Sequence, residues 1–278
     1  MRRTTSGLAG AGRVSVAAVA ATLLATACGS SAGSSGPSSA VTPAGSVGTS
    51  RPAALTGSIT VLAAASLTEA FNTLIGQFEQ AHPGATVKVS YGASSALAQQ
   101  INSGAPVDVF ASASIKNMQQ VVQAGGASGG TNFVKNVMEI AVPPNNPAHI
   151  TQLADLARSG VKVALCQPQV PCGATALKVF GNAGITVKPV TQEQDVKATL
   201  TKVETNAVDA GVVYVTDVRA AGTKVKGIAI PDSVNASTEY PISALTKAAN
   251  PGLAKAFVDF VRSGAGQSVL TADGFERP

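Results

Sequence analysis

The 278-residue sequence has no tryptophan, three tyrosines, two histidines and three cysteines, and only 13% of its residues are charged. Each scarcity closes a class of function. With aromatics at 4% and no basic stripe, the chain lacks both the stacking surface and the phosphate-neutralising face that nucleic-acid binding requires. His82 and His149 lie in unrelated segments, so neither a histidine-built metal centre nor a histidine-activated nucleophile has local support. The formal charge of +5 is also smaller than it looks. Arg2, Arg3 and Arg13 belong to the amino-terminal segment, and without them 17 basic side chains face 15 acidic ones, a net charge of +2. An anion bound by such a chain must be held by local groups rather than by a strong positive field.

The three arginines precede an apolar run, Val14 to Ala27, which is shorter than the roughly 20 residues of a membrane span and matches a secretory signal. The run ends in Leu24-Ala-Thr-Ala-Cys28-Gly29, which resembles a bacterial lipobox, with Ala25 standing where the usual pattern has leucine. Residues 1–27 are therefore expected to be a signal peptide, and Cys28 to carry lipid that anchors the mature protein outside the cell membrane. From Gly29 to about Thr56 the chain is serine, glycine, alanine, proline and threonine, too poor in apolar surface to offset the entropy of ordering. The segment 28–56 is expected to be the lipidated cysteine and a flexible tether, with a reach on the order of 30 Å.

The remaining chain, from Gly57, is long enough for one large or two small hydrophobic cores. Its cysteines, Cys166 and Cys172, flank Gln-Pro-Gln-Val-Pro, which in an oxidising compartment suggests a short-loop disulfide. Short β-branched runs alternate with amphipathic stretches, the pattern of an α/β fold with mainly parallel sheets. Strands are expected at Ser58 to Ala63, Thr86 to Tyr91, Val107 to Ala111, Val137 to Val142, Lys162 to Leu165, Gly211 to Tyr214 and Lys226 to Ile230. Helices are expected at Leu67 to His82, Ser95 to Ser103, Ile115 to Ala124, Ile150 to Arg158, Ala174 to Ala183, Val196 to Thr205, Thr216 to Gly222 and Pro251 to Arg262. Leu67, Phe71, Leu74, Ile75 and Phe78 recur at helical spacing and mark a face for packing on a sheet.

The strand-to-helix junctions carry the chemistry. Ser66 stands three residues before Glu69, a capping-box spacing, and Ser94 opens the helix after the second strand. Pro171-Cys172-Gly173 and Gln194-Asp195-Val196 open two more. Each helix N-terminus exposes unpaired N–H groups and the positive end of its dipole, and in open α/β sheets such junctions line the ligand crevice. A single serine there is ordinarily just a cap worth about 1 kcal/mol; repetition at successive junctions favours a shared anionic ligand. Tyr214, ending the strand Gly211-Val-Val, reads as a core aromatic with its hydroxyl at the rim. Asp195 is expected to face outward in its first helical turn.

These stretches, with Ile59-Thr-Val-Leu-Ala-Ala-Ala-Ser66, Ala93-Ser94-Ser95-Ala-Leu-Ala-Gln-Gln-Ile, Gly104-Ala-Pro-Val-Asp108, Val170-Pro-Cys-Gly173, Gly211-Val-Val-Tyr214 and Glu239-Tyr-Pro-Ile242, resemble the molybdate-binding proteins of ABC importers, over essentially all of Ser58 to Phe275. The resemblance implies a two-lobed periplasmic-binding-protein fold of type II, with lobe 1 at 57–138, lobe 2 at 139–239 and a return to lobe 1 at 240–278. The two crossings would fall near Val137 to Val142 and near Glu239 to Ile242. It further implies that Ser66, Ser94, Cys172, Val196 and Tyr214 hold the oxyanion through hydroxyls and backbone amides, with Cys172 in place of a common alanine. Because that contact is a backbone N–H, the substitution need not weaken it, and a bond to Cys166 would fix the loop.

On this reading there is no catalysis and no cofactor. Molybdenum enters only as the bound oxyanion, molybdate or tungstate, and the partners are an ABC permease and, through the anchor, the membrane, with the protein a monomer. A donor-only site favours a fully deprotonated dianion, because a protonated phosphate also needs an acceptor. The competing readings are a binding protein for sulfate or another small anion, a secreted serine hydrolase using Ser66 or Ser94, and an adhesive surface lipoprotein.

Overall fold

The computed structural model describes residues 55–278. The expected signal peptide, Cys28 and nearly all of the tether lie outside the described residues. No described helix is long and apolar enough to cross a membrane.

The chain begins with β1 (Thr56–Ala64), α1 (Thr68–Ala81), β2 (Gly84–Gly92), α2 (Ser94–Asn102), β3 (Val109–Ala111) and α3 (Ile115–Gln123). β1 is central and parallel to both β2 and β3. Alternate residues of a strand face opposite sides of its sheet, and β1 follows this rule. Ile59, Val61 and Ala63 pack in one core with Phe71, Leu74 and Phe78 of α1, whereas Leu62 packs in another with Leu97 and Ile101 of α2. The helical spacing read for α1 buries Phe71, Leu74 and Phe78 completely.

β4 (Thr131–Val142) is twice the expected length. Its first part, Thr131 to Val137, pairs antiparallel with β9, and from Met138 onward it pairs antiparallel with β7 and β8. Beyond β4, a 3-10 turn at Leu153–Ala157 stands where a longer helix is expected. The reason is local: Asp155 Oδ2 accepts from the Thr151 and Gln152 N–H groups and from the Thr151 hydroxyl, closing a tight turn.

The second half follows as β5 (Val163–Cys166), α4 (Pro171–Ala183), β6 (Thr191–Glu193), α5 (Val196–Glu204), β7 (Ala210–Tyr214), α6 (Val215–Ala221) and β8 (Lys226–Ala229). β5 is parallel to β6 and β7. The chain then returns through β9 (Ser237–Ala244), antiparallel to β3 and β4, to α7 (Pro251–Arg262) and α8 (Gly264–Ala272) on the first half. The strand order is β2-β1-β3-β9-β4-β7-β5-β6, with β8 beside β4. The sheet is thus mixed: each half is parallel where strands alternate with helices, and antiparallel where β4 and β9 join the halves.

The halves have separate cores. One gathers α1, β1, β3 and α7 around Phe71, Phe78 and Phe257. The other gathers β5, β7, α4 and α5 around Val163, Val179, Val203 and Val212. Asp108, buried at the start of β3, ties the first half together. Its Oδ2 accepts from Thr60 N–H at 2.7 Å and its Oδ1 from Ala249 N–H at 2.6 Å, just before α7. A buried carboxylate survives there because backbone donors satisfy both oxygens.

Candidate functional site

Six strand-to-helix junctions, three from each half, meet at one small hollow. Ser66, Ser94, Cys172, Val196 and Tyr214 all line it, together with small residues such as Ala64, Gly92 and Ala113. Its cavity volume is about 20 Å³. That is room for a small ion; drug-sized ligands occupy pockets of about 300 Å³ or more. A far larger groove, about 780 Å³, shares Ala93, Val170 and Pro171 with the hollow and is lined by amide side chains including Gln99, Gln120, Gln169 and Gln194. None of the five residues lines it.

The junction geometry explains why these residues offer donors. Ser94 is the first residue of α2, Cys172 the second of α4 and Val196 the first of α5. Amides in a first helical turn have no intrahelical acceptor. Ser66 sits in the 3-10 turn Ala65–Leu67 that leads into α1. Its expected capping role is not what the structure places there. The N-cap of α1 is Leu67, without a side-chain cap, and the Ser66 hydroxyl instead meets the Tyr240 hydroxyl at 2.8 Å. Ser94 does not cap its helix either; its Oγ accepts from Ala113 N–H at 2.8 Å.

These contacts orient the hydroxyls. A hydroxyl has one proton to give, and Ser94 acts toward Ala113 as an acceptor, leaving the proton free. Tyr214 is 1% exposed, a core aromatic that also lines the hollow, and its hydroxyl has no hydrogen-bond partner among the described residues. Burial raises the pKa of both Tyr214 and Tyr240, which keeps both protonated and able to donate. Tyr240, in β9, was invisible as a site residue from sequence: it stands 174 positions from Ser66, and only the return of β9 beside β3 brings them together.

Cys172 is fixed from two directions. A disulfide joins it to Cys166 at the end of β5. Gly173 lies so close to the preceding loop that a Cβ there would sit 2.1 Å from the Gln167 carbonyl oxygen. The Cys166 sulfur also lies 3.3 Å from the Thr199 hydroxyl, which bonds the Asp195 carbonyl at the start of α5. The helix starts carrying Cys172 and Val196 are thereby braced against each other.

No lysine, arginine or histidine lines the hollow. Asp195 does line it, half-buried rather than outward-facing, but it is the N-cap of α5, with Oδ1 accepting from Ala198 N–H at 2.9 Å. Charges gather behind the hollow instead. Asp217, wholly buried, accepts from Tyr214 N–H through Oδ2 and lies 3.2 Å from Lys197 Nζ through Oδ1. Burial pushes the Asp217 pKa up to about 6, against the pull of Lys197. For Lys197 burial acts downward, but Asp217 and Glu69 outweigh it and the pKa is raised.

Hydrolysis finds no machinery here. The hydroxyl partner of Ser66 is a tyrosine, His82 packs on Phe78 with ring centroids 4.7 Å apart, and His149 lies in a loop at φ 50°. Among the described residues there is no cluster of three or more histidine, cysteine or carboxylate side chains able to hold a metal ion.

Residues 59–276 match the family of bacterial extracellular solute-binding proteins. The molybdate-binding protein ModA of Mycobacterium tuberculosis is 41% identical over 222 residues, covering 80% of this chain and 85% of that one. The periplasmic molybdate-binding protein of Azotobacter vinelandii superposes with a TM-score of 0.72 at 21% identity, over 79% of this chain and 99% of that one. The sulfate-binding protein SubI of Mycobacterium tuberculosis shares the fold, with a TM-score of 0.69 at 20% identity over 79% and 86% of the two chains. The chain belongs to the bacterial extracellular solute-binding proteins and, within them, to the ModA family.

Proposed function

We propose that the hollow takes molybdate, and tungstate as its near-isostere, and that the protein is the extracytoplasmic substrate-binding component of an ABC importer. It binds and delivers; it catalyses no reaction and needs no cofactor. Ser66 and Ser94 donate through hydroxyl and amide, Cys172 and Val196 through their amides, and Tyr214 through its hydroxyl. The observation that carries this reading is the gathering of donors at one place: first-turn amides, the Ser94 hydroxyl and an unpartnered Tyr214 hydroxyl, with no cation among them and the one carboxylate, Asp195, engaged as an N-cap.

Such a lining suits a dianion that carries no proton. Hydrogen bonds to a charged partner contribute roughly 1.5–3 kcal/mol each, so this many donors support micromolar to nanomolar binding after the costs of desolvation and closure. Phosphate near neutral pH retains a proton, and the one carboxylate in the lining, Asp195, already accepts from Ala198 N–H as the N-cap of α5.

The remaining elements of the proposal concern placement. Lobe 1 is 57–138 with 240–278, lobe 2 is 139–239, and they close on the anion by bending at the two crossings, near Val137 to Val142 in β4 and near Glu239 to Ile242 in β9. The signal peptide 1–27 is removed, lipid on Cys28 holds a monomer at the membrane, and the tether 28–56 lets it reach the permease. Palmitate labelling that disappears in Cys28→Ala supports the anchor; undiminished labelling refutes it.

Calorimetric titration of the purified protein with molybdate, tungstate, sulfate and phosphate tests the ligand. Tight binding of molybdate and tungstate, with phosphate silent, is expected. Tight sulfate binding with no molybdate response rejects the assignment.

A further inference from the structure

Three charged side chains stand immediately behind the hollow, each close in sequence to a residue that lines it: Glu69 follows Ser66, Lys197 follows Val196, and Asp217 follows Tyr214. Lys197 joins them. Its Nζ lies 2.9 and 2.8 Å from the two oxygens of Glu69 and 3.2 Å from Asp217 Oδ1. The two carboxylates differ in where they belong. Asp217 opens α6 and shares the second half with Lys197, whereas Glu69 lies in the first turn of α1, the helix that supplies Phe71 and Phe78 to the core of the first half.

We propose that the Glu69–Lys197 ion pair is a clamp made only when the halves are closed, and that it sets how slowly a bound anion leaves. This rests on the oxyanion reading above. Lys197 is a positioning residue: it does not line the hollow, but it is joined through the backbone to Val196, whose amide does. When the halves part, Lys197 keeps Asp217, so the buried carboxylate is never left uncompensated, and gives up only Glu69. An interaction present in the closed state and absent from the open one stabilises the closed state alone. It therefore acts on release and leaves capture by the open form unchanged.

Lys197 has a simpler candidate role, which is to screen Glu69 and Asp217 from the anion. The two roles give opposite signs for Glu69→Gln. Removing a merely screened carboxylate lessens repulsion and tightens binding, whereas removing one arm of a clamp speeds release. The pair is partly exposed, with 25% of the Lys197 side chain and 47% of the Glu69 side chain accessible, so the effect is modest and salt-sensitive.

Stopped-flow measurement of molybdate association and dissociation tests this on the full-length protein, its Glu69→Gln and Lys197→Arg variants, at low and high salt. Glu69→Gln is expected to release the anion about two- to five-fold faster with an unchanged association rate, corresponding to the strength of exposed ion pairs. Lys197→Arg, which preserves the charge, stays near wild type, and high salt brings wild-type release toward that of Glu69→Gln. Release that is unchanged or slower in Glu69→Gln overturns the clamp while leaving the oxyanion site intact. A wild-type protein that binds none of molybdate, tungstate and sulfate overturns the oxyanion reading, and the clamp with it.

Discussion

The two halves supply the same chemistry to the hollow by different means. The first half offers side chains: Ser66 and Ser94, each hydroxyl held by a protein partner, Tyr240 or Ala113. The second half offers backbone at Cys172 and Val196, whose side chains are incidental to donation, and adds the single hydroxyl of Tyr214. A donor carried on a side chain is fixed by its residue type and its hydrogen-bond partner. A donor carried on the backbone is fixed by whatever holds the loop, here the disulfide and the close approach at Gly173.

Substitution separates the two designs. Ser66→Ala and Ser94→Ala each delete a hydroxyl donor to a charged ligand, worth roughly 1.5–3 kcal/mol, so molybdate affinity measured by calorimetry falls about 10- to 150-fold. An effect below threefold for both breaks the side-chain half of the contrast. Tyr214→Phe is expected to cost about tenfold in affinity while the ligand-free protein melts no lower, because the variant removes a buried hydroxyl that has no partner. A clear drop in melting temperature would mean that the hydroxyl is committed to the fold instead.

Asp217, behind Tyr214, gives the second half a pH signature. Its pKa is raised from 3.8 to about 6, so the folded protein holds this proton more tightly than the unfolded chain does. Stability from this group is therefore present at low pH and lost as pH rises from 3.8 through about 6. Asp217→Asn, which retains an oxygen for Tyr214 N–H, should flatten that part of a melting-temperature profile against pH. An unaltered slope removes Asp217 from the account. The smallest effect belongs to Val196→Ala: about 2 kcal/mol less stability from trimming a buried side chain, yet affinity within about threefold of wild type, since the amide remains.

The same contrast governs what the sequence makes legible. Ser66 and Ser94 stand out by residue type at junctions whose strands and helices are periodic, and the α1 pattern of Phe71, Leu74 and Phe78 is the core it suggests. Cys172 and Val196 offer no such sign, because backbone donation leaves no mark on residue identity; only likeness to a family points to them. Capping at Ser66 was a local inference that a distant residue overrides: the hydroxyl of Tyr240 takes the contact. The strand β9, with Pro241 and several hydroxyl residues, carries no strong alternation, and its pairing with β3 and β4 is a tertiary event. The first part of β4 hides in the same way, its polar Asn132, Lys135 and Asn136 interrupting the apolar run that marks Val137 to Val142. The short β6 and the final helix α8 also escape periodicity, being three residues long in one case and glycine-led in the other. The charged trio of Glu69, Lys197 and Asp217 is spread over three elements, and only the tertiary fold brings it together.

Anomalous diffraction at the molybdenum edge, from crystals grown with molybdate, tests the central claim most directly. A single peak is predicted inside the hollow, with ligand oxygens within hydrogen-bond reach of Ser66, Ser94, Cys172, Val196 and Tyr214. A peak in the wide groove beside Gln120 and Gln169, or no peak at all, would contradict it.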